Sequence, residues 1–232
     1  MNELGQPIGP PVSGWRVPTR PPHAVMAGQH CRLEPLDAAH HAAALHAANS
    51  LDCAGRMWTY LHHGPFASLG EYRAWLDARQ TSGDPLYFAI LDRASGLAAG
   101  LASYLRIEPS NGSVEVGHLQ FSPRLQRTTA ATEAMYLMMK LAFDLGYRRY
   151  EWKCDALNAA SRRAAERLGF TLEGIFRQAM VYKGRNRDTA WYSVIDAEWP
   201  SLQAGFQRWL DPRNFDSAGR PIARLADLRT RP

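Results

Sequence analysis

The stretch from Ser113 to Cys154 restricts the fold more than any other part of the chain. Residues 113–121 (SVEVGHLQF) mix apolar and polar positions with the short period of a half-buried strand, and Pro123 ends it. Ala131, Ala134, Met138, Leu141, Ala142 and Leu145 then recur at helical spacing over about 127–145, and Gly146 stops the helix. A short strand follows at 148–154 (RRYEWKC). Strand, polar turn, long helix and strand form a βαβ-like unit, which buries itself only as part of a sheet carrying helices.

The segments around this unit read as follows. Residues 30–36 (HCRLEPL) alternate like a strand, and Asp37 is placed to cap an Ala-rich helix through about Asn49. Residues 58–65 (WTYLHHGP) are aromatic and loop-like. Ser68 and Glu71 then stand at capping-box spacing before a second helix. Strands at about 86–92 and 97–107 are set off by the turns Arg93-Ala94-Ser95-Gly96 and Pro109-Ser110-Asn111-Gly112. After the central unit come a helix at about 159–168 stopped by Gly169, strands at 170–181 and 189–197, and a helix at 199–210. Antiparallel strands first and a βαβ-like unit after them predict an α+β (mixed α/β) fold. It has a mixed, mostly antiparallel sheet and helices on both faces. The chain's 232 residues suit one such domain.

Both ends differ from the middle. Residues 1–29 are rich in Pro and Gly, with doublets at Pro10-Pro11 and Pro21-Pro22. Proline has no amide to donate, so this segment is excluded from a sheet interior. It predicts an extended arm lying on the surface or on a partner subunit, and with it a homodimer. In residues 211–232, Arg213, Arg220, Arg224, Arg229 and Arg231 face only Asp216 and Asp227, which predicts a solvated basic tail. A net charge of +5 suits an anionic cofactor; no nucleic-acid motif accompanies it, so nucleic acid is not the expected partner. Cys31, Cys53 and Cys154 are odd in number and lack CxxC spacing, which argues against a disulfide framework and for a cytoplasmic protein. His40-His41 and His62-His63 lack ligand spacing, so no metal is expected. No apolar run reaches the length of a membrane span.

Two patches carry the chemistry. In residues 115–135 (EVGHLQFSPRLQRTTAATEAM) a strand enters a long helix through a short turn. The start of a helix leaves amides unpaired at the positive end of its dipole, a place where a pyrophosphate binds. In residues 154–174 (CDALNAASRRAAERLGFTLEG) Asn158, Ser161, Leu168, Gly169 and Phe170 stand in the order Asn-x-x-Ser, six residues, Leu-Gly-Phe. The two patches at this spacing resemble the GNAT (GCN5-related N-acetyltransferase) family. The flanks at 58–66 and 184–199 resemble its ribosomal-protein N-terminal acetyltransferase (RimJ/RimL-like) branch. The likeness covers roughly residues 30–200, with 30–210 as the domain.

The resemblance implies a sheet splayed between its fourth and fifth strands, 113–121 and 148–154, with acetyl-CoA in the gap. It implies that Phe121 and the amides of Leu125, Gln126, Arg127, Thr128, Thr129, Ala130 and Ala131 hold the cofactor, together with Asn158, Ser161 and Arg162. Its catalytic candidates are Glu115 as general base, His118 as the second choice of base, and Ser161 as hydrogen-bond donor to the departing thiolate. Trp58, Tyr60 and Tyr72 fall where such enzymes bind the acceptor. That acceptor is a primary amine, either a small molecule or a peptide N-terminus, attacking the thioester directly. Two positions depart from the family pattern. Thr129 replaces a glycine of the pyrophosphate turn, and a β-branched residue tolerates positive φ poorly. Ala165 stands where many relatives carry a tyrosine acid. A non-catalytic acyl-CoA-binding module therefore remains the alternative, and behind it a nucleic-acid-associated protein using the Arg-rich tail. Arg187 and Asp188, near the last strand turn, receive no role.

Overall fold

The computed structural model describes residues 1–229. Its elements in chain order are β1 (Met26–Ala27), β2 (Cys31–Pro35), α1 (Ala38–Asn49), α2 (Leu69–Gln80), β3 (Leu86–Asp92), β4 (Ala98–Glu108), β5 (Ser113–Phe121), α3 (Thr129–Asp144), β6 (Arg149–Asp155), α4 (Ala159–Leu168), β7 (Thr171–Tyr182), β8 (Arg185–Ile195) and α5 (Trp199–Leu210). Local chemistry sets many of these limits. The Asp37 and Ser68 side chains accept from His40 N and Glu71 N, closing the first turns of α1 and α2. Gly169 ends α4 at φ 104°, a conformation that costs glycine little.

The strands form one sheet in the order β1-β2-β3-β4-β5-β6-β8-β7. Only β5 and β6 pair in parallel, the helix α3 carrying the chain across between them. Helices cover both faces. One core packs Leu36, Leu45, Trp58, Tyr72, Leu76 and Leu101 beneath α1 and α2. The larger core, on the other face, joins the sheet to α3, α4 and α5 through residues such as Val116, Met138, Trp152, Phe170 and Phe206.

Period two then sorts the strand residues. Val114 and Val116 of β5, and Tyr150, Trp152 and Cys154 of β6, enter the larger core. Glu115, Glu151, Lys153 and Asp155 therefore project from the opposite face, on the side of α1 and α2.

The two ends are more ordered than composition implies. Met26–Ala27 pairs with β2 as an edge strand. Trp15 donates to Gly146 O at 3.1 Å, and His23 lies 2.8 Å from Tyr87 O. The arm thus binds the body of its own chain. Its strongest hold is Glu133 in α3, 3% exposed, whose carboxylate accepts from the amides of Gln29, His30 and Cys31 at 2.6–2.8 Å. Gly28 is required beside it, since a Cβ there would meet the carboxylate at 2.4 Å. The basic tail keeps Arg213 and Arg220 in solvent but anchors itself at a few points. Leu225 is buried, the Phe215 ring abuts Trp209, and Arg208 donates to Leu228 O. Arg231 lies outside the described residues. Among the described residues no helix is long and apolar enough to cross a membrane.

Candidate active site

A bulge opens the sheet. Ser103 of β4 pairs with Gly117 and Leu101 with Gln120, so His118 and Leu119 together oppose the single residue Ala102. His118 takes φ 49°. Such an insertion bends and twists its strand. Strand β5 stays paired to β4 through Phe121, while β6 stays paired to β8 through Asp155. Between themselves β5 and β6 pair only from Ser113↔Arg149 to Val116↔Trp152. Beyond that point they part around a cavity of about 450 Å³, whose lining includes Glu115, His118, Lys153, Asn158 and Ser161.

On the α3 side, the turn after β5 settles the question raised by Thr129. The positive φ falls on Arg127, at 62°, and Thr129 is the first residue of α3. A β-branched residue is acceptable there. Thr128 is the cap: its Oγ1 donates to Leu125 O at 2.7 Å and accepts from Ala131 N at 3.1 Å. The amides of Leu125 and Gln126 bond to Ser122 O, and that of Thr128 to Leu125 O. Four of the seven expected amide donors are therefore already engaged. Those of Arg127, Thr129 and Ala130 make no hydrogen bond among the described residues and stay available to an anion. The Gln126 side chain is also engaged, donating to Phe121 O at 2.8 Å.

Asn158 caps α4, with Oδ1 accepting from Ser161 N at 3.0 Å. Its Nδ2 donor is what remains for a ligand, a narrower role than the donor and acceptor expected. Ser161 Oγ accepts from Trp152 Nε1 at 3.0 Å. That contact fills an acceptor site on the oxygen and leaves the hydroxyl proton to donate. Cys154 lies within hydrogen-bonding reach of Ser161, and burial pushes its thiol above the ordinary cysteine range. Arg162 is turned to Tyr192 Oη at 3.1 Å and Ala156 O at 3.4 Å.

The opposite side of the cleft is charged. A second bulge, between Leu105↔Glu115 and Glu108↔Ser113, puts Arg106 at φ 46°, and Asp84 holds the amides of Arg106 and Ile107 at 3.0 Å. The Arg106 guanidinium therefore lands on Glu115, at 2.8 and 3.2 Å. Lys153 Nζ adds a contact at 2.9 Å to the same carboxylate and one at 2.7 Å to Glu151, while lying 3.7 Å above the Trp191 ring. Glu115 is 3% exposed. Burial raises its carboxyl pKa, and Arg106 and Lys153 pull against that rise. Its oxygens are largely occupied by these cations.

His118 differs. Ser103 Oγ lies 3.1 Å from Gly117 O, which can only accept, so the serine proton points there. The contact of 3.0 Å between Ser103 Oγ and His118 Nδ1 must then carry the histidine's proton, leaving Nε2 with its lone pair. Burial, then the charges of His62, Arg106 and Arg79, push His118 down to about 4. The ring is neutral at physiological pH.

The aromatic acceptor candidates separate. Tyr60 lines the cleft and donates to Leu157 O at 3.2 Å. Trp58 and Tyr72 are buried in the α1–α2 core, and the Tyr72 hydroxyl is hydrogen-bonded to Gln120. Neither is among the residues that line the cleft. Sequence reasoning missed Arg106, Lys153 and Arg187 as lining residues. The alternation Arg149, Glu151, Lys153, Asp155 was the available signal for Lys153.

The acetyltransferase (GNAT) domain family matches residues 30–171, more than half of the chain. A GCN5-related N-acetyltransferase from Brucella melitensis is 49% identical with a TM-score of 0.91, covering 94% of this chain and 99% of that one. A GNAT-family acetyltransferase from Chromobacterium violaceum is 42% identical with a TM-score of 0.78, covering 84% and 98%. An acetyltransferase from Salmonella typhimurium that modifies the N-terminal serine of a 50S ribosomal subunit protein is 26% identical with a TM-score of 0.61, covering 72% and 96%. No curated protein sequence matches the chain.

Proposed function

Because the chain belongs to the GNAT acetyltransferase family and is an acetyl-CoA-dependent N-acetyltransferase, we propose that it acylates a primary amine by direct attack in a ternary complex, with His118 as the proton acceptor. The observation that carries this reading is the parting of β5 and β6 around a cleft that holds a neutral histidine, with unengaged amides in the turn that leads from β5 into α3.

The residues fit the cofactor: three unengaged amides at the positive end of α3 suit a pyrophosphate, and Asn158 Nδ2 suits an amide carbonyl of the pantetheine arm. When bound, acetyl-CoA supplies the thioester whose acetyl carbon forms the new C–N bond as the C–S bond breaks. His118 Nε2 takes the proton the amine gives up. The Ser161 hydroxyl, polarised by Trp152, hydrogen-bonds the departing sulfur, and the modest basicity of a thiolate makes that sufficient. Glu115 holds Arg106 and Lys153 in place and sets the potential of the acceptor side.

The acceptor is a small amine or a peptide N-terminus. The Salmonella relative's action on a ribosomal-protein serine supports the RimJ/RimL-like branch. The three unpaired thiols agree with a cytoplasmic protein. The exposed apolar side chains of β7, including Leu172, Phe176 and Val181, support a homodimer; sedimentation as a 26.0 kDa monomer at micromolar concentration would exclude one. The test of function is acetyl-CoA consumption across a panel of amines and peptides, with calorimetric binding alongside. No cofactor binding at millimolar concentration would defeat it.

A further inference from the structure

Lys153 has two carboxylates and Glu115 two cations, whereas Asp155 has no cation within ion-pair distance among the described residues and is held by the Leu157 amide and the Tyr182 hydroxyl at 2.8 and 2.9 Å. Arg187 is the buried cation of the cleft left without a carboxylate. It is 9% exposed and lines the cleft, yet no carboxylate lies within ion-pair distance among the described residues. Its Nε donates to Thr189 Oγ1 at 3.2 Å, its Nη1 lies 3.4 Å from His62 Nε2, and its Nη2 makes no hydrogen bond among the described residues. Arginine has no acceptor atom, so His62 must present an unprotonated Nε2. Burial, with Arg187 and Lys183, lowers the pKa of His62, and an imidazole carries no negative charge in either protonation state.

Position gives this cation a purpose. Thr189 pairs with Asp155 across β6 and β8, and Arg187 bonds Thr189 from two residues away on the same strand face. Both project to the α1–α2 side, opposite the free amides of the α3 turn. The hairpin tip is clamped there by Lys183, whose Nζ donates to Trp58 O at 2.8 Å. A guanidinium largely withdrawn from water without a counter-charge is costly, and its planar fork matches a carboxylate.

We propose that Arg187 is the anchor for a carboxylate carried by the amine acceptor, so that the enzyme prefers amines bearing that group. This rests on the acyl-transfer reading above and narrows its acceptor. The carboxylate belongs either to a small amino acid or to an acidic side chain near a peptide N-terminus, and the assay separates these sources.

The experiment measures KM for matched pairs: ω-amino acids of graded length against their carboxamides, and peptides with Asp against the same peptides with Asn at the second position. In at least one pair the wild type should show a KM at least about tenfold lower for the carboxylate member. Arg187→Gln should reduce that ratio to about twofold or less, Arg187→Lys should restore part of it, and calorimetric affinity for acetyl-CoA should be unaltered in both. The melting temperature of Arg187→Gln without acceptor should stay level or rise, because an uncompensated charge is removed; a merely structural arginine would lower it. Equal KM values within every wild-type pair, or a preference that survives Arg187→Gln, would overturn the assignment alone. If no acceptor of either kind consumed acetyl-CoA, the transfer reading would fall and this inference with it.

Discussion

Replacing Glu115 by Gln separates a structural carboxylate from a catalytic one. The substitution keeps the shape and removes the charge that Arg106 and Lys153 share. Removing one partner of a buried pair costs about 3–5 kcal/mol. Here Lys153 retains Glu151 at 2.7 Å and Arg106 is half exposed, so the lower end applies, about 3 kcal/mol. For a domain of this size that lowers the melting temperature by roughly 6–12 °C. Activity per folded molecule, measured by thiol release from acetyl-CoA between about pH 6 and 9, should fall less than about tenfold. His118→Asn should do the reverse. Asparagine tolerates the positive φ of the bulge, so stability falls less, while loss of the base costs about 10²-fold or more in kcat/KM. The reasoning is refuted if Glu115→Gln loses a hundredfold in well-folded enzyme and the loss shrinks as pH rises. That pattern would return the base to Glu115.

Three further outcomes follow from the same geometry. Burial holds His118 down to about 4 and His63 to about 3, against about 6.5 when unfolded, so the unfolded chain binds more protons in between; stability should be full above about pH 6.5 and decline toward pH 4, and a melting temperature flat over that window would contradict the burial argument. Thr128→Ala should cost about 1 kcal/mol in chemical denaturation and weaken acetyl-CoA binding, whereas Thr129→Gly should leave binding intact; a large loss from the glycine would show that the Thr129 side chain contacts the cofactor. Cys154→Ala should retain activity within about tenfold, because the thiol's pKa is raised and no acyl-enzyme is needed; a covalent acetyl on Cys154 in mass spectra would reverse that view.

Sequence carried the elements where one local rule dominated. The helix α4 runs from 159 to 168 as its cap and terminal glycine imply, and Asp37 and Ser68 cap where their positions predict. It failed where distant residues decide. Strand β8 begins at Arg185, not near Thr189, because Arg185 to Arg187 find partners in β7 despite their polarity. The tail reads as solvated by charge, yet Leu225 is buried. In the site, family spacing was enough to bring Glu115, His118, Asn158 and Ser161 to one cleft. It could not reveal that Glu115 is shared by two cations, since that depends on the bulge at Arg106 and on strand register. Nor could it show that Arg127, not Thr129, takes the strained dihedral.

The hold of Glu133 on the first residues of β2 bears on where this protein can be cut. The match to the family's domain begins at residue 30, and an expression boundary drawn there would delete Gln29 and turn the His30 amide into a chain end. One donor would vanish and a second would become a mobile charged terminus, beside a carboxylate with almost no access to water. That carboxylate sits in the second turn of α3, one turn from the unengaged amides of Thr129 and Ala130, so the trimmed protein would be disturbed there as well as at its edge. Here the point where the domain match starts and the point where the folding unit starts are different residues, and the shorter piece lacks the Gln29 amide that Glu133 accepts from.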